Sequence, residues 1–394
     1  MAKKRKRVLL TGVGGFIASH CLEYFMEHTD WEVLGIDSFR HKGIMRRIDQ
    51  GVDRYFFDTV RQKYSGKLFA QKHQEAPERI KIFHHDLVAP LSPQLENQLL
   101  ERRIDERGNV VEKKIDYIIN MASDSAVERS TTDPTHCLRN NYELTVNMLE
   151  FARKVNPDVF IQISTDEVYG EANPDPKDPG HKEWATILPS NPYAASKAAQ
   201  EAIAISYWRT YDLPIVLTNC MNIVGEWQDP EKFLPKIISL VMQGKEMPIY
   251  ADKTDGPSVT SLSTRGGNCV ENNQGWYIGS RVYLHARNKA DALVFLMNQL
   301  VARYSQGAKR PDRYNICGED ELNNLELAKM VAKIMNKELK YKLVPSESAR
   351  PGYDRRYALD GSKLEKMGWK PPMNLQESLE RIVTHTMNNQ EWMI

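Results

Sequence analysis

Apolar and polar positions along this chain follow two periods. Short apolar runs, rich in β-branched and aromatic residues, recur at 7–11, 32–36, 80–84, 115–121, 159–164 and 214–219. Each reads as a buried strand. Between them lie longer stretches with apolar residues three and four apart, which read as helices. One opens after Thr11 and runs to His28, one spans 134–154, and one spans 192–211. Six strands alternating with helices predict an α/β fold built on a doubly wound parallel sheet with right-handed crossovers.

After Cys220 the pattern loosens. The stretch 235–243 reads as helix and 247–250 as strand. The stretch 251–279 is rich in Gly, Ser, Thr and Asn and is too long for an ordinary structureless loop, so it predicts a lid or an insertion. Its Trp276 and Tyr277 either stack on a bound base or pack in a core. A strand over 281–285 and a helix over 288–304 return to the main sheet. The run Tyr314-Asn-Ile316 and helices near 324–335 and 375–389 make a smaller C-terminal lobe. The expected division is a first domain over 1–220, with 280–305 packing back on it. The second lobe is then 221–279 plus 306–394. Two further insertions stand out: 44–78, helical in part around 52–64, and 101–114, an exposed hairpin.

Charge narrows the function classes. The chain has 394 residues, with 53 Lys plus Arg against 52 Asp plus Glu, for a net charge of +1. That balance gives no footprint for nucleic acid. The basic start AKKRKR is either a localisation tag or a solvated lead-in to the first strand. No apolar run reaches the ~18 residues of a membrane span. The five cysteines (Cys21, Cys137, Cys220, Cys269 and Cys317) show neither metal nor disulfide spacing. A reduced, cytoplasmic protein is expected.

The candidate chemistry sits at strand ends. Thr11-Gly-Val-Gly-Gly15-Phe16-Ile17-Ala18 joins a strand to a helix. Glycines there let the backbone approach a pyrophosphate, and the helix N-terminus supplies N–H groups. Such a turn alone is often only a turn. The next strand, however, ends at Asp37, at the spacing where an acid binds the adenosine ribose hydroxyls of NAD. Together they make the sheet Rossmann-type and NAD the expected cofactor, with Gly12, Gly15, Phe16, Ile17 and Asp37 holding it. Asp86, followed by Leu87, either contacts the adenine or caps a turn. Ala122, Ser123 and Ser125 follow the fourth strand near the expected nicotinamide ribose. The strand FIQIS ends in Thr165, Asp166 and Glu167, and a later helix opens with Tyr193-Ala-Ala-Ser-Lys197. Residues i and i+4 share a helix face, so Tyr193 and Lys197 point the same way. A Tyr/Lys pair is ordinarily a surface contact and Asp-Glu after a strand ordinarily a loop. Their joint placement after a dinucleotide turn points to redox chemistry coupled to proton transfer.

These segments resemble the extended short-chain dehydrogenases/reductases, and among them the dTDP-glucose 4,6-dehydratases. The carriers are TGVGGFIASH, GIDSF, NMASDSAVERS, ISTDEVYG, NPYAASKAAQE, TNCMNIVG, MPIY and RPGYDRRYALD with GWKP. The adjacent acids of the TDE triplet separate dehydratases from the C4 epimerases and decarboxylases of the same family. The resemblance implies oxidation of sugar C4, loss of water across C5 and C6, and return of the hydride to C6. It makes Tyr193 the base at O4, with Lys197 lowering its pKa; Thr165 a hydrogen-bond donor to the reacting oxygen; Asp166 the acid at C6; and Glu167 the base at C5. It implies a nucleotide-diphosphate sugar as substrate. Ser125, Asn222, Pro248, Tyr250, Arg281, Arg350 and Tyr353 are expected along it, the arginines on the diphosphate. It also implies a homodimer formed through the helices at 134–154 and 192–211, with Leu144, Val146, Met148, Leu149 and Phe151 on the first and Ala198, Ala202, Ile203, Ile205 and Trp208 on the second. The chain departs from the family at Asn120 and Ala126, where His is usual, at Val224-Gly225-Glu226, where Tyr-Gly-Pro is usual, and at Tyr353, where His is usual. A non-catalytic NAD-binding sensor is the reading from outside enzymology, and the intact Thr165, Tyr193 and Lys197 argue against it.

Overall fold

The computed structural model describes residues 5–40, 43–48, 79–175, 177–253, 276–299, 308–345 and 354–393. The first half contains β1 (Arg7–Thr11), α1 (Phe16–His28), β2 (Glu32–Asp37), β3 (Ile80–His84), α2 (Pro93–Leu100), β4 (Arg103–Ile104), β5 (Val110–Val111), β6 (Tyr117–Asn120), α3 (Val127–Thr132), α4 (Pro134–Val155) and β7 (Val159–Ile163). Then come α5 (Pro192–Tyr211), β8 (Ile215–Cys220), β9 (Ile223–Val224), α6 (Phe233–Met242), β10 (Met247–Lys253), β11 (Trp276–Ile278), β12 (Ser280–Val282), β13 (Leu284–His285) and α7 (Ala286–Gln299). The chain ends with β14 (Asp312–Ile316), β15 (Glu321–Asn323), α8 (Asn324–Ile334), β16 (Tyr341–Pro345), β17 (Arg356–Tyr357), α9 (Ser362–Lys366) and α10 (Leu375–Asn388).

Seven strands form one parallel sheet in the order β14-β8-β7-β6-β1-β2-β3. The chain begins in the middle at β1, fills one side with β2 and β3, then crosses to β6 and fills the other. The order reverses between β1 and β6, and the crevice at that reversal, outside the carboxyl ends of the strands, is where ligands bind in such sheets. Side chains alternate across the sheet. Val8 and Leu10 enter one core with Phe25 of α1 and Leu293 of α7, whereas Leu9 enters another with Met148 of α4 and Trp208 of α5. Both faces are covered, which is why the strands read as near-continuous apolar runs. A third core joins α6, β10, α8 and α10 through Ile237, Ile249, Val331 and Leu379. No helix among the described residues is long and apolar enough to cross a membrane.

Two expectations are corrected. The Tyr314–Ile316 run, expected in the C-terminal lobe, belongs to the seventh strand of the main sheet and pairs with β8, Tyr314 opposite Thr218. Asp312, Arg313 and Asn315 interrupt its apolar pattern, but Arg313 is buried, paired with Glu201 of α5 and bonded to the Asn219 side chain at 2.9 Å. The strand expected over 281–285 is two: β12 pairs with β15 and β17, and β13 pairs with β9. Of the apolar residues named on the helices at 134–154 and 192–211, Leu144, Met148, Leu149, Phe151 and Trp208 form the face that packs on the sheet. The large apolar side chains exposed on these two helices are Leu138, Tyr142 and Tyr211.

The hairpin over 101–114 is present as the antiparallel pair β4–β5. The helix expected over 52–64 and residues 254–275 of the 251–279 segment lie outside the described residues. The flanks of that segment form an antiparallel ladder, with Asp252 opposite Tyr277 and Lys253 opposite Trp276. Trp276 packs against the third core and Tyr277 is buried, so of the two readings of these rings the structure takes the packed one.

The Arg313–Glu201 pair ties β14 to α5 and generates a stability prediction. Glu201→Leu leaves a buried guanidinium without its counter-ion and should cost about 3–5 kcal/mol, read as a lower urea midpoint. Glu201→Leu with Arg313→Met removes both charges and should recover most of that loss. Equal losses in the single and double variants would contradict the pairing.

Candidate active site

The dinucleotide turn is built by β1 and the end of β6. Gly12 has φ +71°, and a Cβ there would lie 3.0 Å from the Ala122 Cα, so the turn needs glycine for both its conformation and its space. The Thr11 hydroxyl accepts the N–H groups of Met121 and Ala122, each at 2.9 Å, and fastens the two strand ends together. Gly15 starts α1 without a side-chain cap, so the first turn, carrying Phe16 and Ile17, offers an anion N–H groups and the positive end of the helix dipole. Asp37, at the end of β2, is buried and accepts N–H from Gly14 at 2.9 Å and from Phe39 at 2.8 Å. Asp86 accepts the Val88 N–H at 3.1 Å and pairs with Arg40 at 2.8 Å, so it caps a turn. Leu87 is buried, Ala122 and Ser123 are half-buried, and Ser125 is exposed. The open helix start, the close glycine turn and the carboxylate at the end of β2 fit a dinucleotide.

The end of β7 lies one strand beyond, on the other side of β6. Thr165 caps a single 3-10 turn over Asp166–Tyr169. Its hydroxyl donates to Asp166 Oδ1 at 2.9 Å and accepts the Glu167 N–H at 3.4 Å. Asp166 is buried, and that burial, followed by the charge of Glu167, pushes its pKa up to about 7. Glu167 has a different environment: the Asn191 side chain donates to its Oε2 at 2.9 Å. Asn191 is also the cap of α5, accepting the Ala194 N–H at 2.9 Å. One residue therefore starts the helix that carries Tyr193 and holds the second carboxylate.

Tyr193 lies in the first turn of α5, its N–H donated to the Ser130 hydroxyl at 3.2 Å. Lys197, one turn on, is buried and donates to the Ile163 carbonyl at 2.7 Å and to Gln200 Oε1 at 2.5 Å. Burial, then the nearby cation of Lys289, pushes the Lys197 pKa down to about 7. The expected lowering of the Tyr193 pKa is not found. Burial comes first and the charge of Glu167 second, and together they hold the phenol well above its ordinary value. Lys197 is spent on a carbonyl and an amide rather than on the phenol.

Thr165, Asp166, Glu167, Tyr193 and Lys197 are thus one cluster. Arg281 is near enough to Asp166 to oppose its rise. Its guanidinium donates to the carbonyls of Ser280, Arg355 and Asp354 at 2.6–2.7 Å and stacks 4.2 Å from the Tyr357 ring. Asn222 sits just past β8 at φ +28°, and its buried Nδ2 has no hydrogen-bond partner among the described residues. Such an orphaned donor at a site calls for a ligand acceptor. Pro248 and Tyr250 are half-buried on β10, in the smaller sheet. Arg350 and Tyr353 lie outside the described residues. Sequence reasoning missed Asn191 and Gln200. Asn-Pro before the Tyr/Lys helix was the available signal for the first, and Gln200, three residues after Lys197, for the second.

A reaction that draws a proton from Asp166 should slow as pH rises through about 7, where the buried carboxyl ionises. In Asp166→Asn that alkaline limb should disappear, with turnover reduced by roughly 10²–10⁴-fold. A wild-type profile of kcat against pH that stays flat through neutrality would contradict this.

Residues 8–317 match the model of the NAD dependent epimerase/dehydratase family. A trifunctional UDP-glucose 4,6-dehydratase/UDP-4-keto-6-deoxy-D-glucose 3,5-epimerase/UDP-4-keto-L-rhamnose-reductase of Arabidopsis thaliana is 29% identical over 394 residues; the match takes 99% of this chain and 48% of that protein, so the chain spans about half of its length. A dTDP-glucose 4,6-dehydratase of Escherichia coli is 27% identical, with 98% of this chain and 94% of the relative covered. Among solved structures, the dTDP-glucose 4,6-dehydratase of Streptomyces venezuelae with NAD bound superposes with a TM-score of 0.71 at 24% identity, covering 98% of each chain. The UDP-N-acetylglucosamine 4-epimerase of Methanobrevibacter ruminantium gives 0.70 at 22% identity, covering 98% of this chain and all of that one, so the fold is common to dehydratases and epimerases. With its glycine turn, its Asp37 and a family match across most of its length, the chain belongs to the NAD dependent epimerase/dehydratase family.

Proposed function

We propose that this protein is an NAD-dependent nucleotide-sugar 4,6-dehydratase, converting an NDP-hexose to the NDP-4-keto-6-deoxyhexose. The observation that carries the reading is the unequal carboxyl pair: Asp166 raised to about 7 beside Glu167, which accepts from Asn191. An enzyme that only oxidises and re-reduces C4 has no use for such a pair. The curated relatives named as dehydratases of UDP-glucose and dTDP-glucose support the same activity.

NAD, when bound, accepts a hydride from the sugar and returns it within the same turnover. Tyr193 takes the O4 proton, and Thr165 donates a hydrogen bond to the reacting oxygen. The phenol is poised too high in the protein alone, so its ionisation would require positive charge beside it, which the nicotinamide ring would supply and Lys197 would add on turning from its carbonyl and amide partners. Once C4 is a ketone, the C5 proton is acidic, and Glu167 removes it. Asp166, carrying its own proton, delivers it to the departing C6 hydroxyl. Two carboxyl groups whose environments push their titrations apart are the usual way to obtain an acid and a base from one residue class. Asn222 and Arg281 contact the substrate, with Pro248 and Tyr250 toward its base.

The test is a screen of dTDP-, UDP-, GDP- and CDP-hexoses for the alkali-induced absorbance of a 4-keto product, with catalytic NAD. One nucleotide series should give product without accumulation of NADH. A C4-inverted hexose as sole product, or stoichiometric NADH, would contradict the proposal.

We also propose a homodimer through α4 and α5, whose exposed Leu138 and Tyr142 lie one helical turn apart and would be covered by a second copy. Sedimentation should show a dimer at micromolar concentration, and Leu138→Glu with Tyr142→Glu should shift it toward monomer. A wild-type protein that sediments as a monomer would overturn this assignment.

A further inference from the structure

Beneath the cluster lies a buried pair that the proposed reaction does not use. Lys289 on α7 is fully buried, and Cys220, the last residue of β8, is 7% exposed. Lys289 Nζ lies 2.8 Å from Cys220 Sγ. That spacing is ordinary for an N–H···O contact and short for sulfur, which is a larger atom. Among the described residues, Cys220 Sγ is the one hydrogen-bonding atom at this Nζ. No carboxylate is hydrogen-bonded to this buried amine among the described residues. The other sulfur nearby is Cys21, whose thiol burial pushes up to about 12, which leaves it unreactive. Cys220 lies 3.7 Å from the Ser164 carbonyl, directly before the catalytic turn.

We propose that Lys289 and Cys220 are a modification site, joined in air by a single oxygen atom into a Lys–N–O–S–Cys crosslink. The oxidant is dioxygen. The ammonium first gives up a proton to solvent; one N–H bond of the resulting amine and the S–H bond then break, and an N–O and an O–S bond form. One atom of dioxygen becomes the bridge, and the other leaves as water with the two hydrogens. The observed separation suits a bent one-atom bridge and is too long for a direct N–S bond. The link is neutral, so it removes the buried cation. It also removes the charge that helps push Lys197 down, and so couples the bridge to the catalytic cluster. Four thiol equivalents reverse it, restoring amine and thiol, releasing water and leaving two disulfides of the reductant.

The experiment is peptide mass spectrometry on the full-length protein, purified in air and then split into samples with and without dithiothreitol. The air sample should contain the Cys220 and Lys289 peptides linked, with one oxygen gained and two hydrogens lost, and dithiothreitol should abolish the link. Lys289→Met and Cys220→Ser should never show it, whereas Cys21→Ser should keep it. Unlinked peptides in air would overturn the proposal. So would a link that loses two hydrogens without gaining oxygen, which indicates a direct N–S bond or a Cys21–Cys220 disulfide. Oxygen found only on an unlinked Cys220 would overturn it as well, placing that residue on the ordinary sulfenic-to-sulfinic ladder.

Discussion

Two adjacent carboxyl groups in a desolvated turn resist carrying charge together, and the organisation of the site follows from how this chain divides that charge. Asp166 is buried against Thr165, and Glu167 receives the Asn191 amide. Burial favours the first as the neutral acid, and the second is held by the Asn191 hydrogen bond. The division holds only because the 3-10 turn fixes both side chains at the end of β7, and the turn is fixed because β7 lies in the middle of a sheet covered on both faces. Strand order then brings this pair beside the dinucleotide turn at the end of β1, with only β6 between them.

The same economy of charge runs beneath the site. Thr11 donates to Asn120 at 3.0 Å, Asn120 to Gln162 at 2.9 Å, and Gln162 to Gln200 at 3.5 Å, where Gln200 also receives Lys197. A neutral chain thus links the dinucleotide turn to Lys197, the lysine of the proposed reaction, with Asn120 at a position where the resembled family usually carries His. Glu226, where that family usually has Pro, is buried between His20 and His285 at 3.4 and 3.1 Å and is also paired with Arg381. These hydrogen bonds and nearby imidazoles outweigh its burial and hold its carboxyl well below the ordinary range, so helix α1, behind the dinucleotide turn, is pinned to α10. Two of the departures from the resembled family, Asn120 and Glu226, brace the surroundings of the site, while the proposed reacting side chains keep the family pattern.

Local signals made most of the fold legible. The six apolar runs became six parallel strands, and Gly12, Asp37, Thr165 and Tyr193 stand at strand ends or a helix start, as their spacing predicts. The place of the seventh strand was not legible, because the polar Arg313 and Asn315 break its apolar run and the partners of Arg313, Glu201 and Asn219, lie far along the chain. Asn191, missed in the sequence, caps α5, and its second bond, to Glu167, exists only in three dimensions. The direction of the Tyr193 shift depends on burial and on where Lys197 points, and no residue pattern states either. Arg281 read as a free phosphate clamp, whereas the fold surrounds it with three carbonyls.

In the proposed reaction one turnover moves a hydride within the sugar while the carboxyl pair removes water. An NDP-hexose deuterated at C4 follows that hydride. The product isolated after complete turnover should carry the deuterium in its C6 methyl group, with one solvent-derived hydrogen at C5. Deuterium retained at C4 of an inverted hexose, or recovered in a reduced nicotinamide pool, would contradict it.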